Sequence, residues 1–477
     1  MFRVLLATAL LLVALCPETE GQTPTPPAPL TPIAVNGTRI PYVCLSFLDT
    51  DARLQCFRSD PVLYANRSGL GGLSSAAPVI RTIAFNNNPF LKTDLASAQG
   101  SDYVCYGFAG TKSVCGCFDL GRYDYFELAG CATVSALDIR VTMGKTGQYA
   151  CFILAAKKSS LLETNIFCVN LTTRSQFLAQ TDPPQNVNNV TASTVEQNLA
   201  ILLLESQDLV CYARAWLYDY SSRCYFLSNS SLATFLFTST TAGDGLVALF
   251  LAPDEARILA IFRSKQTSRG FEGVFIGIYP VPDFASGYYF EINFTSPNPV
   301  SYISGAITSN FMFCYALSSA LGYRYSECRD FAANYQWSNL FSDVSPSNSN
   351  SLVMFPDSQR YCVGFSGPTR TSISCGNVGN FSVFLTPEES PGTVYGVSLA
   401  LSDDASKLVS LLTGNVSSVL FGDTTLAVNV NSTMLTPAYP ILKQGKVIIG
   451  GGYDSVVRCF LGVGLLFELI HQLYRHV

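Results

Sequence analysis

With 477 residues, the chain is long enough for two to four ordinary domains or for one array of repeats. Its formal net charge of -5 and its lack of clustered Lys and Arg argue against nucleic acid as a partner. Charged residues make up 13% of the chain, about half the usual fraction, which is untypical of a soluble cytosolic enzyme.

The first residues have the pattern of a secretory signal peptide. Arg3 is followed by an apolar stretch from Val4 to Cys16 and then by small and polar residues. We expect residues 1–21 to be removed, because the apolar stretch is too short for a stable membrane anchor. Residues 22–32, which include TPTPPAPLTP, are predicted to form an extended proline-rich spacer.

Residues 33–460 contain a recurring unit. Each unit has aliphatic residues, a small or acidic turn, an aliphatic residue followed by Cys, a variable loop and a second Cys, as in YVCYGFAGTKSVCGCF. Two cysteines that flank a short loop suit adjacent antiparallel strands, where opposed Cα atoms lie within disulfide range. The predicted pairs are Cys44 with Cys56, Cys105 with Cys117, Cys151 with Cys168, Cys211 with Cys224, Cys314 with Cys328, and Cys362 with Cys375.

Connectivity is not fixed by sequence alone, so bridges between different units remain the alternative. Cys115 and Cys131 are left over inside the repeats, and a bridge between them is one option that no pattern in the sequence supports. Cys459 has no expected partner within the chain.

We call the shared spacing of aliphatic residues and cysteines in these units the cysteine frame. Two further units keep this spacing but have apolar residues in place of the cysteines. Leu259 and Val409 occupy the position of the first Cys, and each follows its leading valine at the same spacing as Cys459 follows Val447. The units therefore begin near residues 44, 105, 151, 211, 259, 314, 362, 409 and 459. A period of about fifty residues with alternating apolar positions predicts four short strands per unit.

This periodicity predicts an all-β fold, a seven- or eight-bladed β-propeller with disulfide-clipped hairpins. The ninth, partial unit is expected to supply a closing strand to the first blade, which leaves no exposed sheet edge. Residues 461–477 form an apolar tail of unknown role. Glu468 interrupts the apolar run of that tail, so membrane contact through it is the less favoured interpretation.

The frame resembles the repeat of regulator-of-chromosome-condensation type β-propellers, especially the disulfide-bearing version in the ectodomains of Crinkly-type plant receptor kinases. The segments VIIGGGYDSVVRC and VSYISGAITSNFMFC come closest to that repeat. The family's glycine after the first Cys and tryptophan after the second are absent from every unit, and no kinase domain is present. The resemblance implies an extracellular module that recognises a peptide or protein, without kinase activity.

Asn-X-Ser/Thr sequons are spread along the chain. Behind a signal peptide, most are expected to be exposed loop sites that accept N-linked glycans. The nine sequon asparagines are Asn36, Asn66, Asn170, Asn189, Asn229, Asn293, Asn380, Asn415 and Asn431.

The sequence offers little for catalysis. The only histidines, His471 and His476, lie in the tail, so no Ser-His-acid triad or His-ligated zinc site is expected within the repeats. Acids that could act in glycoside hydrolysis fall in predicted turns, where they more often bond the backbone. These acids are Asp49, Asp51, Asp124, Asp403 and Asp404. We expect no catalytic residues, no cofactor and no metal site.

Aromatic residues are the best candidates for ligand contact. They cluster in YARAWLYDYSSRCYF and YALSSALGYRYSE, and Tyr and Trp dominate binding hot spots. The candidates are Trp216, Tyr218, Tyr220, Tyr323 and Tyr325. The alternative is that these side chains pack between blades.

The sequence therefore favours a secreted or cell-surface, glycosylated recognition module that binds an extracellular protein or peptide and is not an enzyme. Two alternatives remain open. One is a secreted carbohydrate-binding protein or glycoside hydrolase on the same scaffold, and the other is a cell-wall or matrix structural protein.

Overall fold

The computed structural model describes residues 40–452 apart from gaps at 49–51, 59–78, 86–89, 99–100, 121, 123, 133, 159–160, 187–198, 217–218, 240–245, 265–272, 294–299, 331–334, 344, 357–358, 369–370, 379–382, 386–393, 402–406, 415–417, 424–432 and 435–443. Strands dominate this part of the chain, and its α-helix, α1 (Ala129–Ala132), has four residues. None of its helices has the length and apolarity needed to cross a membrane.

The strands form eight four-stranded antiparallel sheets, numbered here in chain order. Sheet 1 contains β1 (Ile40–Leu48), β2 (Ala52–Arg58), β3 (Val79–Phe85) and β32 (Gln444–Gly452). Sheet 2 contains β4 (Phe90–Ser97), β5 (Tyr103–Gly110), β6 (Val114–Asp119) and β7 (Asp124–Glu127). Sheet 3 contains β8 (Ala136–Met143), β9 (Tyr149–Lys158), β10 (Leu161–Asn170) and β11 (Ser175–Asn186). Sheet 4 contains β12 (Leu199–Leu204), β13 (Leu209–Trp216), β14 (Asp219–Phe226) and β15 (Leu232–Ser239).

The remaining four sheets follow the same plan. Sheet 5 contains β16 (Val247–Leu251), β17 (Arg257–Ser264), β18 (Gly273–Pro280) and β19 (Tyr288–Asn293). Sheet 6 contains β20 (Tyr302–Ile307), β21 (Met312–Ser319), β22 (Tyr323–Asp330) and β23 (Tyr335–Asp343). Sheet 7 contains β24 (Ser349–Met354), β25 (Arg360–Ser366), β26 (Ser372–Asn377) and β27 (Val383–Leu385). Sheet 8 contains β28 (Val394–Leu401), β29 (Lys407–Gly414), β30 (Ser418–Asp423) and β31 (Thr433–Met434).

Sheets 2 to 8 are simple meanders, whereas sheet 1 joins the two ends of the described chain. Its first position is taken by β32, which runs antiparallel to β1 with Ile448 opposite Cys44. This is the place expected for a strand from the ninth, partial unit. Pairing of β32 removes an open sheet edge at β1.

The first strands of the sheets contact one another in series. From β4 the contacts run through β8, β12, β16, β20, β24 and β28 to β32, and β32 contacts β4. Side chains also link these first strands. Strands of different sheets do not pair through their backbones, so a side chain of one strand can bond a backbone group of the next. Asp94 Oδ2 accepts a 2.9 Å hydrogen bond from the N–H of Val141, and Ser351 Oγ accepts one of 3.1 Å from the N–H of Leu399.

Six disulfides join directly opposed residues of a second and a third strand. Their Cα atoms lie 4.0–4.1 Å apart, as expected for opposed residues of adjacent antiparallel strands. They are the six pairs that the frame predicts, namely Cys44–Cys56, Cys105–Cys117, Cys151–Cys168, Cys211–Cys224, Cys314–Cys328 and Cys362–Cys375. Cys115 bonds Cys131, and Cys459 lies outside the described residues.

The two units without cysteines keep the same register. Leu259 is the third residue of β17 and lies opposite Ile278, as Cys105 is the third residue of β5 and lies opposite Cys117. Val409 holds the equivalent place in β29. Apolar side chains in these two sheets therefore occupy the positions that sulfur takes elsewhere.

The apolar core lies between neighbouring sheets. In sheet 6 the Cys314–Cys328 face packs on sheet 7, where it meets the buried side chains of Tyr361 and Phe365. The opposite face, which includes Tyr315, packs on sheet 5. Because side chains alternate between the faces of a strand, sheets 2 to 7 bury apolar side chains on both faces.

Candidate functional site

The hairpin between β21 and β22 ends in an exposed turn. Gly322 has φ +115°, which suits glycine, and its N–H lies 3.3 Å from the carbonyl oxygen of Ser319. The N–H of Leu321 donates to Ser319 Oγ at 3.2 Å. The side chain of Leu321 is 68% exposed, so the turn presents an apolar tip to solvent.

Two of the predicted ligand-contacting tyrosines follow this turn. Tyr323 begins β22, and Tyr325 lies two residues later on the same face, with the rings stacked at 6.1 Å between centroids. Both rings are half-buried against the apolar cluster between sheets 5 and 6. Packing between sheets was the alternative to ligand contact, and these tyrosines do pack there while keeping part of their surface exposed.

A buried carboxylate fixes the same face of β22. Glu327 is 1% exposed, and its Oε2 accepts hydrogen bonds from the hydroxyls of Tyr315 and, at 2.6 Å, Tyr325. Arg329 Nε donates to Glu327 Oε1 at 2.6 Å. The charge of Glu327 is thus paired and hydrogen-bonded, the condition under which a buried carboxylate is tolerated.

Burial raises the pKa of Tyr315, Tyr323 and Tyr325, and the nearby charge of Glu327 raises all three further. The three tyrosines therefore remain neutral phenols at physiological pH. As neutral phenols, Tyr315 and Tyr325 can donate hydrogen bonds to the carboxylate that holds them.

The hairpin of sheet 4 carries the other predicted aromatic residues. Trp216 ends β13 opposite Asp219, and Tyr220 lies opposite Ala215 near the start of β14. Tyr218 lies outside the described residues. The backbone therefore brings Trp216 and Tyr220 to one end of sheet 4.

Charged side chains of sheet 3 contact charged side chains on the two strands of this hairpin. Asp182 of β11 is 3% exposed and accepts hydrogen bonds from the hydroxyl of Tyr225 at 2.7 Å and from Arg223 Nη1 at 3.1 Å. Arg214 Nη1 lies 3.7 Å from Asp182 Oδ2, and Arg214 Nε donates to Ser221 Oγ at 3.0 Å. Asp182 thus ties sheet 3 to both strands of the aromatic hairpin.

Contacts between the first turns of the sheets show that the two aromatic hairpins share one end of the structure. Ser206 N donates to Glu255 Oε2 at 2.9 Å between sheets 4 and 5, and Arg257 Nη1 donates to the carbonyl oxygen of Ser309 at 2.8 Å between sheets 5 and 6. The turns between first and second strands therefore lie together. In a meander the hairpins between second and third strands lie at the opposite end, with Trp216 and Tyr323.

Asp124 does not lie in a turn, which corrects the prediction. It begins β7, where the backbone pairs it with Asp119, and its exposed carboxylate accepts a 2.6 Å hydrogen bond from Arg174 Nη1. The bond from Arg174, which belongs to the next sheet, compensates the charge of an acid at the start of this outer strand. The other turn acids, Asp49, Asp51, Asp403 and Asp404, lie outside the described residues.

Two buried acids on neighbouring first strands were not predicted from the sequence. Asp94 of β4 is 4% exposed and Asp138 of β8 is fully buried. Asp138 Oδ1 accepts hydrogen bonds from the N–H of Ile139 and from Arg140 Nη1, both at 2.9 Å. Burial raises the pKa of Asp138, against the lowering effect of Arg140. The available signal was a lone acid in each apolar segment, KTDLAS and ALDIRV.

The described residues contain no group of three or more His, Cys, Asp or Glu side chains that could hold a metal ion. Among the predicted glycosylation sites, Asn170 ends β10, Asn229 lies in the turn between β14 and β15, and Asn293 ends β19. The other six asparagines lie outside the described residues, namely Asn36, Asn66, Asn189, Asn380, Asn415 and Asn431.

No family model and no curated protein matches this chain. Among solved structures, the chain is similar to the dihydro-heme d1 dehydrogenase NirN in complex with DHE, at 11% identity and a TM-score of 0.50, with 88% of this chain and 76% of that one covered. Hydrazine synthase from Kuenenia stuttgartiensis matches at 10% identity and TM-score 0.42, over 66% of this chain and 91% of its own.

A prolyl endopeptidase matches at 7% identity and TM-score 0.45, over 75% of this chain and 50% of its own. These similar structures are propeller-like enzymes. At such low identity the likeness to NirN concerns the fold alone. The described part of this chain is nearly all-β and consists of small antiparallel sheets.

Proposed function

We propose that the chain is a secreted or cell-surface recognition module on a closed eight-bladed β-propeller, and that it binds an extracellular protein or peptide without catalysis. The closed ring is supported by the eight four-stranded sheets, by the serial contacts of their first strands, and by the place of β32 in sheet 1. Kinship with the regulator-of-chromosome-condensation type repeats is part of the proposal and rests on the cysteine frame.

An extracellular location is supported by the sulfur chemistry. Seven disulfides stand in the described residues, and disulfides of this number persist in oxidising compartments. The sequons and the predicted signal peptide at residues 1–21 agree with this location.

The observation that carries the recognition role is the braced hairpin of sheet 4. Trp216 and Tyr220 stand at its end, while Asp182 holds Arg214 and Arg223 of its two strands from the neighbouring sheet. A hairpin fixed at its base loses little conformational entropy when a ligand binds. Trp and Tyr are typical anchors for a protein or peptide, and the backbone places Trp216 and Tyr220 at the end of this hairpin.

A non-catalytic role is supported by what the buried acids do. Glu327, Asp182 and Asp94 each accept hydrogen bonds from groups of their own or neighbouring sheets. Their carboxylates hold the scaffold together and are turned away from solvent. Glycan binding, glycoside hydrolysis and a matrix role are the outcomes that the test below separates from protein recognition.

The test uses the secreted chain, purified from the medium of a eukaryotic host and applied to arrays of extracellular ectodomains, peptides and glycans. We expect an ectodomain or peptide to bind, and the triple variant Trp216→Ala, Tyr218→Ala, Tyr220→Ala to lose about tenfold or more in affinity. The matched control is Tyr125→Ala with Tyr288→Ala, which removes exposed tyrosines at the starts of outer strands, at the other end of the sheets.

Equal binding by the triple variant, or no binding to any ectodomain or peptide, would overturn the proposal. Sugar-specific binding would identify a lectin, and release of reducing sugar from a polysaccharide would identify a hydrolase. Sedimentation as an extended polymer would identify a matrix protein.

A further inference from the structure

The turn between β14 and β15 is closed by its own backbone. The N–H of Phe226 donates to the carbonyl oxygen of Ser231 at 3.0 Å, and the N–H of Ser230 donates to the carbonyl oxygen of Phe226 at 2.9 Å. Ser230 has φ +59°, the left-handed conformation that lets the chain reverse. The position of Asn229 between these bonds is therefore fixed.

Asn229 is an exposed residue and the acceptor of the sequon Asn229-Ser230-Ser231. Its Oδ1 accepts a 2.9 Å hydrogen bond from the N–H of Ser231. Within the described part of the chain its Nδ2 makes no hydrogen bond. Nδ2, the atom to which a glycan is attached, is therefore not engaged in a hydrogen bond.

Apolar side chains flank this asparagine. Phe226, three residues earlier, is 37% exposed, and Leu232, three residues later, is 45% exposed. Both belong to the small set of large apolar side chains that the described residues leave open to solvent. The register sets Leu232 opposite Tyr225, so the side chain of Leu232 lies on the other face of the sheet from that of Phe226.

We propose that Asn229 carries an N-linked glycan whose first sugars cover the exposed part of Phe226. The C–H groups on one face of a pyranose ring form an apolar surface that packs on an aromatic ring. The covering partner is thus a covalent part of the protein itself, held at the turn that follows Phe226. The inference rests on the secretory part of the proposed function.

The modification is a group transfer from a lipid pyrophosphate-linked oligosaccharide. The bond between the sugar's anomeric carbon and the pyrophosphate oxygen breaks, and a bond from that carbon to Asn229 Nδ2 forms. Nδ2 gives up one proton, and the lipid pyrophosphate leaves with the bonding electrons. No oxidant or reductant takes part.

Asn170 offers a comparison within the same chain. Its Oδ1 accepts hydrogen bonds from the N–H groups of Thr172 and Thr173, both at 3.0 Å, so its amide is held in a similar way. Phe167 stands three residues earlier, as Phe226 does before Asn229, but it is 9% exposed and packs in the cluster between sheets 2 and 3. A glycan on Asn170 therefore has no open ring at that spacing.

The location of Asn229 also leaves the proposed ligand-binding end open. Strand β14 starts at the aromatic hairpin and ends at Phe226, so its eight residues separate the two features by about 25 Å. A glycan at the turn covers one end of sheet 4 and leaves Trp216 and Tyr220 at the other end uncovered.

The test is a double-mutant cycle on the glycoprotein secreted by a eukaryotic host. Peptide mapping after enzymatic deglycosylation is expected to show a glycan at Asn229. Ser231→Ala, which removes the sequon and keeps the backbone N–H, is expected to lower the urea midpoint and raise the binding of an apolar fluorescent dye. In a Phe226→Ser background, Ser231→Ala is expected to have no such effects.

Three controls make the cycle specific. Ser231→Thr preserves the sequon and is expected to behave as the parent chain. Thr172→Ala removes the sequon at Asn170, and its effect is expected to be the same in the parent chain and in the Phe226→Ser background. Enzymatic removal of all N-linked glycans from the folded chains is expected to lower the urea midpoint more in the parent chain than in the Phe226→Ser background.

A secreted, disulfide-bonded chain with Asn229 unmodified would overturn this inference and leave the recognition role standing. A glycan at Asn229 whose removal has the same effect with and without the Phe226 ring would also overturn it. Failure of the arrays to find a ligand bears on the recognition role alone, since occupancy and the cycle need no ligand. A chain retained in the cytosol with free thiols would overturn both.

Discussion

Arg329 Nε donates a 2.6 Å hydrogen bond to Oε1 of Glu327, two residues earlier on the same face of β22. The other carboxylate oxygen of Glu327 accepts from two tyrosine hydroxyls. A single carboxylate therefore holds one cation and two phenols against sheet 5. Of the tyrosines offered as ligand contacts, Tyr325 bonds this carboxylate directly, and Tyr323 stacks on the ring of Tyr325.

We expect Glu327→Gln to lower the free energy of unfolding by about 1–3 kcal/mol, because it removes the negative charge that pairs with Arg329 and an acceptor of the tyrosine hydrogen bonds. Urea unfolding of the secreted chain measures the loss. Glu127→Gln, the same chemical change at an exposed position of β7, is the control and is expected to have little effect. Equal midpoints for the two variants would mean that Glu327 does not organise this face.

The register of sheet 5 predicts that a disulfide can be engineered between its second and third strands, where the chain has no cysteines. Leu259 and Ile278 are directly opposed at the place that cysteines take in six other sheets. We expect Leu259→Cys with Ile278→Cys to form a bridge and to be more stable than Leu259→Cys alone by about 3 kcal/mol. Mass spectrometry under non-reducing conditions and urea unfolding check the two parts.

The control for this bridge is Leu259→Cys with Gly277→Cys. Gly277 lies opposite Ala260, so a side chain there points to the other face of the sheet. Free thiols in both double variants would show that sheet 5 does not share the register of the cysteine-bearing sheets.

The cysteine frame made much of this fold predictable, for a physical reason. Two cysteines separated by a short loop can bond when the strands that carry them are neighbours. The spacing of Cys211 and Cys224 therefore favours a hairpin, although it leaves bridges between units open. The same frame placed Leu259 in register with the cysteines of other units. Local sequence was sufficient because these contacts join strands that follow one another in the chain.

The ionic clusters were not predictable in this way. Asp182 meets Arg223 and Tyr225 only because sheet 3 packs on sheet 4, and no local pattern encodes that contact. Asp124 was misassigned to a turn because acids are common in turns, whereas its partner Arg174 lies on the next sheet. Packing between sheets decided both cases.

The buried carboxyl of Asp138 predicts a pH dependence of stability. Its folded-state pKa is raised, so the unfolded chain releases this proton first as pH rises from about 4. The contribution to stability is therefore full below the unfolded pKa and falls as pH rises through the folded pKa. Asn cannot ionise, so we expect Asp138→Asn to match the parent chain near pH 4 and to exceed its stability near pH 7.

Urea midpoints measured across this pH range test the expectation. Ile139→Val alters packing at the next residue without changing a titratable group, so its difference from the parent chain is expected to be constant with pH. A constant difference for Asp138→Asn would show that the carboxyl is no more protonated in the folded chain than in the unfolded one.

Gly107 of β5 lies where sheets 2 and 3 pack closely. A Cβ atom at this position would lie 2.5 Å from Cδ1 and 2.9 Å from Cγ1 of Ile139. Ile139 is fully buried on β8, so the apolar side chain cannot move into solvent. We expect Gly107→Ala to lower the free energy of unfolding by about 1–3 kcal/mol through overpacking.

If steric overlap with Ile139 causes the stability loss of Gly107→Ala, a smaller side chain at residue 139 should recover part of it. Ile139→Val removes the Cδ1 atom and by itself costs about 0.5–1.5 kcal/mol. Combined with Gly107→Ala, it removes the shortest of the close contacts. The double variant is therefore expected to lose less stability than the two single variants lose together. Ile153→Val, a buried change on β9 that does not touch Gly107, is the control and is expected to add to Gly107→Ala without coupling. If the stability losses of Gly107→Ala and Ile139→Val simply added, the two side chains would not be in contact, and sheets 2 and 3 would lie farther apart than in the structure.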